Sequence, residues 1–116
     1  MEPRLGGPSQ PVVFLTDGRA ISYAESVMGI VEAYKLGDIV GGPTAGTNGN
    51  INPFTLPGGY SVIWTGMRVI KHDGSRHHGV GITPTVPCEP TPAGLAAGRD
   101  EVLEKAVEVI KAKAGR

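Results

Sequence analysis

The chain has 116 residues, 40% of them hydrophobic, and its 11 basic residues balance its 11 acidic ones. This length predicts one domain with a buried core, and the neutral balance gives no electrostatic reason to expect nucleic acid or an anionic membrane as a partner. No apolar run reaches the length of a membrane span, and no basic-then-apolar signal segment opens the sequence. We therefore expect no nucleic-acid partner and no membrane span, and the compartment is left open.

The chain begins with a polar stretch and a predicted strand. Residues 1–10 are polar and contain Gly and Pro, so we expect a flexible lead-in before a domain over 11–113. Residues 12–15 form a short apolar run rich in β-branched and aromatic residues, between Pro11 and an Asp-Gly pair, which predicts a buried strand.

A helix is predicted directly after this strand. From Tyr23 onward apolar residues recur every three or four positions, which predicts a helix over about 22–36. Gly37 suits the left-handed residue that commonly ends a helix.

Ser22 lies at the turn between the predicted strand and the start of the predicted helix. Its hydroxyl would face unpaired backbone N–H groups and the positive end of the helix dipole. Acyl-transfer enzymes use that geometry to expose a serine and to stabilise an oxyanion beside it. The segment from Ser22 to Glu25 also fits the Ser-x-x-Glu capping box. The sequence therefore predicts Ser22 either as the cap of the helix or as a nucleophile.

A second strand, a loop and a meander follow. Residues 38–40 should close a β-α-β unit and lie parallel to the first strand. The Gly- and Asn-rich stretch 41–50 is predicted as a loop, which either lines a peptide-binding cleft or is a tight connector. It lacks the Gly-Lys-Ser/Thr of a phosphate-binding loop. Alternation and turn signals predict strands over 51–56, 60–64, 68–71 and 76–78.

The sequence of the last part of the chain predicts an extended segment followed by a helix. Residues 80–87 form an extended stretch that Pro84 and Pro87 confine to a sheet edge or to the surface. Residues 90–98 are predicted as a linker. Residues 100–113 carry one apolar stripe, with acidic residues at the start and lysines at the end, which is typical of an amphipathic helix.

The order of these motifs resembles a known family. Asp-Gly-x-x-x-Ser-x-Ala-Glu begins at Asp17, Val-Gly-x-Pro-Thr-x-Gly covers 40–46, a meander follows, and Gly-Val-Gly-Ile-Thr-Pro covers 79–84 before the terminal helix. Together they resemble the C-terminal half of the catalytic domain of the tail-specific (C-terminal processing) serine proteases, which are related to the tricorn protease core. The resemblance implies an α/β fold of the ClpP/crotonase-like kind, with β-β-α architecture and as a partial domain.

The resemblance also implies roles for individual residues. Ser22 matches the family nucleophile, and the backbone N–H of Tyr23 matches one donor of its oxyanion hole. The loop residues at the family's cleft are expected to bind substrate, and in this sequence they are Thr44, Ala45, Gly46, Thr47 and Asn48. No cofactor is implied.

The general base of the family is missing from its usual places. Processing proteases carry a lysine just after the Pro-Thr-x-Gly stretch, where this chain has Thr47, and a threonine hydroxyl has no basicity near neutral pH. The tricorn-like branch uses an upstream histidine and a glutamate before its Gly-Val-x-Pro motif, where this chain has Arg76-His77-His78. The family's usual aspartate after the proline is Thr85. A Ser/Lys dyad at this position is therefore excluded.

The histidines leave alternatives open. His77 or His78 could act as a base toward Ser22, because imidazole titrates in the useful range, or both could be exposed or edge-strand residues. His72 could bind a metal with either of them, but no cysteine or carboxylate completes a ligand set at a recognised spacing, so no metal site is predicted.

Two classes of function follow from the sequence. The first is a serine peptidase that hydrolyses peptide bonds through an acyl-enzyme, as a fragment or C-terminal part that needs an N-terminal portion for activity. The second is a non-catalytic domain of the same fold that binds a peptide or apolar ligand or associates with itself. A half-domain should expose apolar surface, so a homo-oligomer is expected. Full-length relatives are usually periplasmic or secreted.

Overall fold

The structure is a computed structural model that describes residues 10–115. Its elements in chain order are β1 (Val13–Thr16), α1 (Tyr23–Tyr34), β2 (Asp38–Gly41), β3 (Ile51–Thr55), β4 (Ser61–Thr65), β5 (Val86–Pro87), α2 (Pro92–Ala96) and α3 (Glu101–Ala114). The predicted α/β class is confirmed. The lead-in predicted for residues 1–10 lies outside the described residues apart from Gln10.

A three-stranded parallel sheet in the order β1-β2-β5 positions the rest of the molecule. Val13 faces Asp38 across the first strand pair, and the pairing runs in register along β1 and β2. Because α1 connects these two strands, the predicted β-α-β unit is confirmed. Of the predicted extended stretch 80–87, only Val86–Pro87 pairs with β2, and it does so at the edge of the sheet, where proline is tolerated.

A small apolar core lies between the sheet and α1. Ile39 of β2 and Ile82 are each 1% exposed, and Met28 and Val31 of α1 pack against them. Met28 and Val31 lie three positions apart on one face of the helix, which is the spacing that the apolar periodicity predicted. Partly buried Phe14 closes the cluster.

The C-terminal end of α1 differs from the prediction in one residue. The left-handed residue is Lys35, with φ 51°, rather than Gly37. Gly37 serves another purpose, because a Cβ at that position would collide with the carbonyl oxygen of Val12. The glycine therefore allows the chain to pass close to the start of β1.

Two helices complete the C-terminal part. The predicted linker 90–98 contains α2, whose N-cap Thr91 accepts a hydrogen bond from Gly94 N–H at 2.9 Å. The predicted helix at 100–113 is confirmed as α3, which packs on β1 and β2 and buries Ala106. The Asp100 side chain caps it by accepting the Leu103 N–H at 2.9 Å, as expected of an N-cap aspartate.

Half of the predicted meander is present. β3 and β4 form the expected antiparallel hairpin, but the predictions of strands at 68–71 and 76–78 were wrong, since only Ile70 and Arg76 form a bridge there. The Val69 N–H donates to Nε2 of His78 at 3.0 Å, and Lys71 turns onto α1 to pair with Glu32 at 3.0 Å. The Val69 N–H therefore has a side-chain acceptor instead of a strand partner, and the Lys71 N–H donates to the Ser75 carbonyl oxygen at 2.9 Å in the turn that follows.

The described part of the molecule is elongated. Its radius of gyration is 17.9 Å, whereas about 13 Å is usual for a compact domain of ~100 residues. All residues of the β3–β4 hairpin except Val62 are exposed. Within residues 10–115, no helix is both long enough and apolar enough to cross a membrane.

The burial of Ile39 gives a prediction for stability. Ile39→Ala should lower the free energy of unfolding by about 2–5 kcal/mol, because it empties a fully enclosed site. Leu95→Ala is the control, since Leu95 is 64% exposed and its truncation should change the free energy by about 0.5 kcal/mol or less. Urea unfolding followed by circular dichroism measures both. Similar losses for the two variants would contradict the assigned core.

Candidate active site

Ser22 has an unusual backbone conformation at the start of α1. Its φ of 52° and ψ of −115° lie outside the regions that L-residues ordinarily adopt. A conformation of this kind costs about 1–3 kcal/mol and persists only where surrounding contacts hold it. The strained residue is the one that the sequence singled out at the turn between strand and helix.

The Ser22 hydroxyl is not used to cap the helix. Ser22 and Glu25 are placed as in the predicted capping box, and the Ser22 N–H donates to Oε2 of Glu25 at 3.2 Å. The hydroxyl lies within capping-box reach of the Glu25 N–H but forms no side-chain cap hydrogen bond, and the Glu25 N–H donates to the Ser22 carbonyl oxygen at 2.9 Å. The residue is exposed. Ser22 therefore presents an uncommitted hydroxyl to solvent.

The backbone N–H of Tyr23 lies beside this hydroxyl in the chain. Tyr23 is the first residue of α1 and is 79% exposed. Within residues 10–115, its N–H finds no acceptor, as is usual for the first turn of a helix. A donor of this kind, at the positive end of a helix dipole, can stabilise a negatively charged oxygen.

Glu25 is a buried carboxylate that ties α1 to the loop after β2. It is only 1% exposed. Oε1 accepts hydrogen bonds from the Thr44 hydroxyl at 2.7 Å and the Gly46 N–H at 2.6 Å, and Oε2 accepts the Thr47 N–H at 2.9 Å. Together with the bond from Ser22, these contacts satisfy both oxygens of the carboxylate.

These contacts determine the protonation of Glu25. Burial acts to raise its pKa, but hydrogen bonds from Thr44, Gly46 and Thr47, and the nearby His77, outweigh burial and hold the pKa below its ordinary value. Glu25 is therefore ionised near neutral pH. Its role was missed in the sequence beyond the capping box, because the donors lie 19–22 residues away.

The loop 44–48 lies against the start of α1. The Asn48 side chain donates to the Ser26 hydroxyl at 2.9 Å. Gly46 has φ 70°, and a Cβ there would come within 2.8 Å of the backbone nitrogens of Gly79 and Val80. Only glycine fits between these segments, so the loop holds one position relative to Ser22.

The predicted histidines have different surroundings. His77 is 3% exposed, and its Nε2 lies 3.4 Å from Oε1 of Glu25 without forming a hydrogen bond within residues 10–115. Nε2 of His78 accepts the Val69 N–H. His72 lies edge-on to Tyr34, with ring centroids 5.7 Å apart. Neither His77 nor His78 hydrogen-bonds the Ser22 hydroxyl in this structure.

Thr47 and Thr85 occupy the positions where the resembled family carries a lysine and an aspartate. Thr47 is exposed, and its N–H is used by Glu25. The Thr85 hydroxyl accepts the Ile39 N–H at 2.9 Å and so joins β2 to the segment before β5. Neither side chain supplies a base.

A cavity that sequence reasoning did not identify lies at the carboxyl end of β1. Its volume is about 470 Å³, and it opens between the turn that leads to Ser22 and the start of α3. Its lining includes Leu15, Asp17, Arg19, Glu89 and Val102. Clefts in open parallel sheets commonly form at this end of the strands. No group of three or more His, Cys, Asp or Glu side chains within residues 10–115 is arranged to hold a metal ion.

Comparison with known proteins identifies the family. The sequence model of peptidase family S41 matches residues 4–88, which is most of the chain. The chain belongs to peptidase family S41. The resemblance to the tail-specific proteases is thereby confirmed. Among curated proteins, no significant match was found.

Solved structures share the fold of this S41 chain. A protein from Parabacteroides merdae described as a candidate peptidase is 24% identical, with a TM-score of 0.78 over 88% of this chain and 32% of its own. The tricorn protease is 18% identical, with a TM-score of 0.80 over 91% of this chain and 11% of its own.

A photosystem II D1 C-terminal processing protease is a further neighbour. It is 27% identical, with a TM-score of 0.57 over 71% of this chain and 21% of its own. The S41 chain thus spans a third or less of the length of these neighbours. Serine peptidase function belongs to the related proteins of the family.

The buried carboxylate gives a pH-dependent prediction for the S41 chain. The pKa of Glu25 is lowered in the folded state from 4.5, so its ionised form contributes stability above that pH, and the contribution is lost as the pH falls toward the folded-state pKa. Glu25→Gln should lower the free energy of unfolding at neutral pH by about 2–4 kcal/mol, because an amide cannot accept from all these donors. Urea unfolding at several pH values measures this effect.

When the pH is lowered from neutral to below 4.5, the free energy of unfolding of Glu25→Gln should fall by less than that of the wild type. Glu104→Gln is the matched control, because Glu104 pairs with Arg99 at the surface and its loss should cost about 1 kcal/mol or less. Parallel pH dependence in the wild type and Glu25→Gln would refute the assignment of Glu25 as a buried ionised group.

Proposed function

We propose that this chain carries the nucleophile of a serine peptidase, Ser22. The observation that supports it best is the exposed Ser22 hydroxyl, which is free of any cap hydrogen bond although its residue is held in a strained conformation at the start of α1. A helix cap needs no such strain, since Ser caps ordinarily adopt extended backbone angles and use the hydroxyl. An exposed nucleophile at a tight turn requires both features.

The reaction follows the general course of acyl transfer. The Ser22 oxygen attacks the carbonyl carbon of a peptide bond, and its proton passes to a base. The Tyr23 N–H donates to the oxyanion that develops on the carbonyl oxygen. Collapse of the intermediate releases the amine, which takes up a proton, and leaves an acyl-enzyme at Ser22. Water then attacks the ester and restores the hydroxyl.

The substrate is proposed to lie along the loop 44–48. This loop is fixed next to Ser22 because Glu25 accepts hydrogen bonds from both segments. The neighbouring cavity of about 470 Å³ could receive one side chain of the substrate, because the turn from Asp17 to Ala20 that lines it leads directly into Ser22. The substrate class is a peptide or protein, as for the related peptidases.

The general base is proposed to come from one of two sources. His77 or His78 could supply it after a rearrangement that frees the imidazole from Glu25 or from Val69, since catalytic hydrogen bonds are often absent before substrate binds. Alternatively, an N-terminal partner portion supplies it together with a second oxyanion donor. We favour the second source, because Ser22 is open to solvent while His77 is buried.

We propose a ClpP/crotonase-like β-β-α architecture for the complete domain, with residues 11–113 forming its C-terminal half. The Parabacteroides merdae and tricorn structures support this, because each matches nearly the whole chain with a TM-score near 0.8. A homo-oligomer is the further expectation. The exposed apolar side chains of the hairpin favour it.

A non-catalytic role is the second candidate. Thr47 stands where a processing protease has its lysine, and its side chain offers no base. A domain of this fold that binds a peptide or an apolar ligand, or associates with itself, would retain the 44–48 loop and the exposed hairpin without needing a base.

Fluorophosphonate labelling distinguishes these functions. In the presence of the N-terminal portion that supplies the base, we expect the probe to modify Ser22 in preference to the other serines, with modification sites read by mass spectrometry. Ser22→Ala should reduce labelling to background, a loss of at least ~1000-fold for a true nucleophile. Ser75→Ala is the control, because Ser75 lies in an exposed turn and should leave the rate unchanged.

Equal modification of Ser22 and Ser75 would sink the peptidase proposal and favour the binding domain. No labelling of this chain alone leaves a binding domain or a peptidase fragment, and labelling of Ser22 that appears only when an N-terminal portion is added supports the fragment. Circular dichroism of each variant checks that the fold is retained.

A further inference from the structure

The β3–β4 hairpin is an unpartnered sheet in the described part of the chain. Its two strands pair only with each other, and no other strand of residues 10–115 borders it. Trp64 is 53% exposed and Ile63 is 60% exposed. A two-stranded hairpin of this kind is at best marginally stable alone in water.

The hydrogen-bonding direction of each strand residue follows from the register. The Leu56 N–H donates to the Tyr60 carbonyl at 2.8 Å, so residues 56 and 60 are a hydrogen-bonded pair. Such pairs alternate along an antiparallel ladder. Phe54 therefore exchanges bonds with Val62, while the N–H and C=O groups of β4 at positions 61, 63 and 65 point to the outer edge.

The two outer edges of the hairpin differ in chemistry. On β3 the outward positions include Pro53, which faces Ile63 and has no N–H to offer. A proline at such a position blocks further strand pairing. On β4 the outward positions are Ser61, Ile63 and Thr65, and each has an N–H group. The β4 edge is thus the one that can accept another strand.

The sequence of β4 is nearly symmetric about its central residue. It reads Ser-Val-Ile-Trp-Thr, with a hydroxyl residue at each end and Ile63 at the centre. When it pairs antiparallel with itself about Ile63, Ser61 faces Thr65 of the other copy and Val62 faces Trp64. Hydroxyl pairs and aromatic–aliphatic pairs are favourable cross-strand neighbours.

The absence of charged residues near the hairpin also favours a second copy of this chain as the partner. No Asp, Glu, Lys or Arg occurs from Ile39 to Met67, so a two-fold contact between identical hairpins brings no like charges together. A two-fold contact requires a self-complementary surface. The uncharged, symmetric β4 edge meets that requirement.

We propose that two copies of this chain pair through β4, antiparallel and centred on Ile63, to form a four-stranded sheet in the order β3-β4-β4-β3. The outward N–H and C=O groups of Ser61, Ile63 and Thr65 exchange hydrogen bonds with those of the second copy. The proline-bearing β3 strands form the outer edges and stop further addition. The proposal specifies the surface of the homo-oligomer proposed above, and it does not rest on the peptidase function, since it involves none of the residues assigned to catalysis.

Sedimentation velocity over a range of concentrations tests the pairing. Ile63→Pro removes one outward N–H of β4 without touching the bonds between β3 and β4, so it should weaken dimerisation at least tenfold. Ile63→Val keeps the N–H and a β-branched side chain and should dimerise like the wild type.

Thr55→Pro is the matched proline control. Thr55 faces Ser61 in the same kind of pair, so its N–H points outward from β3, and this variant should remain dimeric. Far-ultraviolet circular dichroism and thermal unfolding show whether each variant stays folded. If Ile63→Pro misfolds, Ile63→Lys provides the test, because a two-fold contact would place its charge against itself.

Several outcomes would overturn the proposal. A wild-type chain that remains monomeric at its highest soluble concentration would do so. A folded Ile63→Pro variant that associates as tightly as the wild type would show that another surface is responsible. Equal weakening of dimerisation by Ile63→Pro and Thr55→Pro would show that the edge of β4 is not the specific site of association.

Discussion

The buried Glu25 carboxylate is the interaction on which the candidate site depends. An ionised group at 1% exposure is costly unless it is fully hydrogen-bonded. Here its donors come from the start of its own helix and from the loop after β2, through Ser22, Thr44, Gly46 and Thr47. Because the carboxylate cannot lose these donors cheaply, the loop and the strained turn are fixed relative to one another. The position of the Ser22 backbone therefore depends on the hydrogen bonds that stabilise the Glu25 carboxylate.

This arrangement explains why the Ser22 hydroxyl is free. In an ordinary capping box, the serine oxygen and the carboxylate each satisfy one N–H group. In this chain the Ser22 carbonyl takes the Glu25 N–H, and the carboxylate takes the Ser22 N–H. The hydroxyl is left without a structural task, and the first-turn N–H of Tyr23 stays open beside it. The proposed nucleophile and one proposed oxyanion donor are thus already in place, while a proton acceptor for Ser22 is still to be supplied.

The sequence predicted those parts of the structure whose causes are local. The β-α-β unit and α3 follow from apolar periodicity and caps within a few residues, and they are present. The predicted strand at 68–71 is absent; the Val69 N–H donates to Nε2 of His78, and the Lys71 side chain pairs with Glu32 on α1, contacts that alternation along the chain does not reveal. For the same reason Ser22-x-x-Glu25 was visible as a motif, but the donors from Thr44 to Thr47 were not. Long-range polar contacts decide both cases.

The site and the hairpin are joined by a short connection. Thr47 donates to Glu25, Asn48 donates to Ser26 on α1, and β3 begins at Ile51. A restraint on the hairpin therefore reaches the cleft wall through a few residues. At the base of the hairpin, a Cβ on Gly49 would meet the Thr65 methyl group at 2.6 Å, so the end of β4 also lies against this connection. If two hairpins pair along β4, the pairing restrains the connection at Gly49, which adjoins the loop 44–48 that Glu25 and the turn at Gly79 and Val80 already hold in place. Dimer formation through β4 would therefore act on a segment that directly adjoins the loop 44–48.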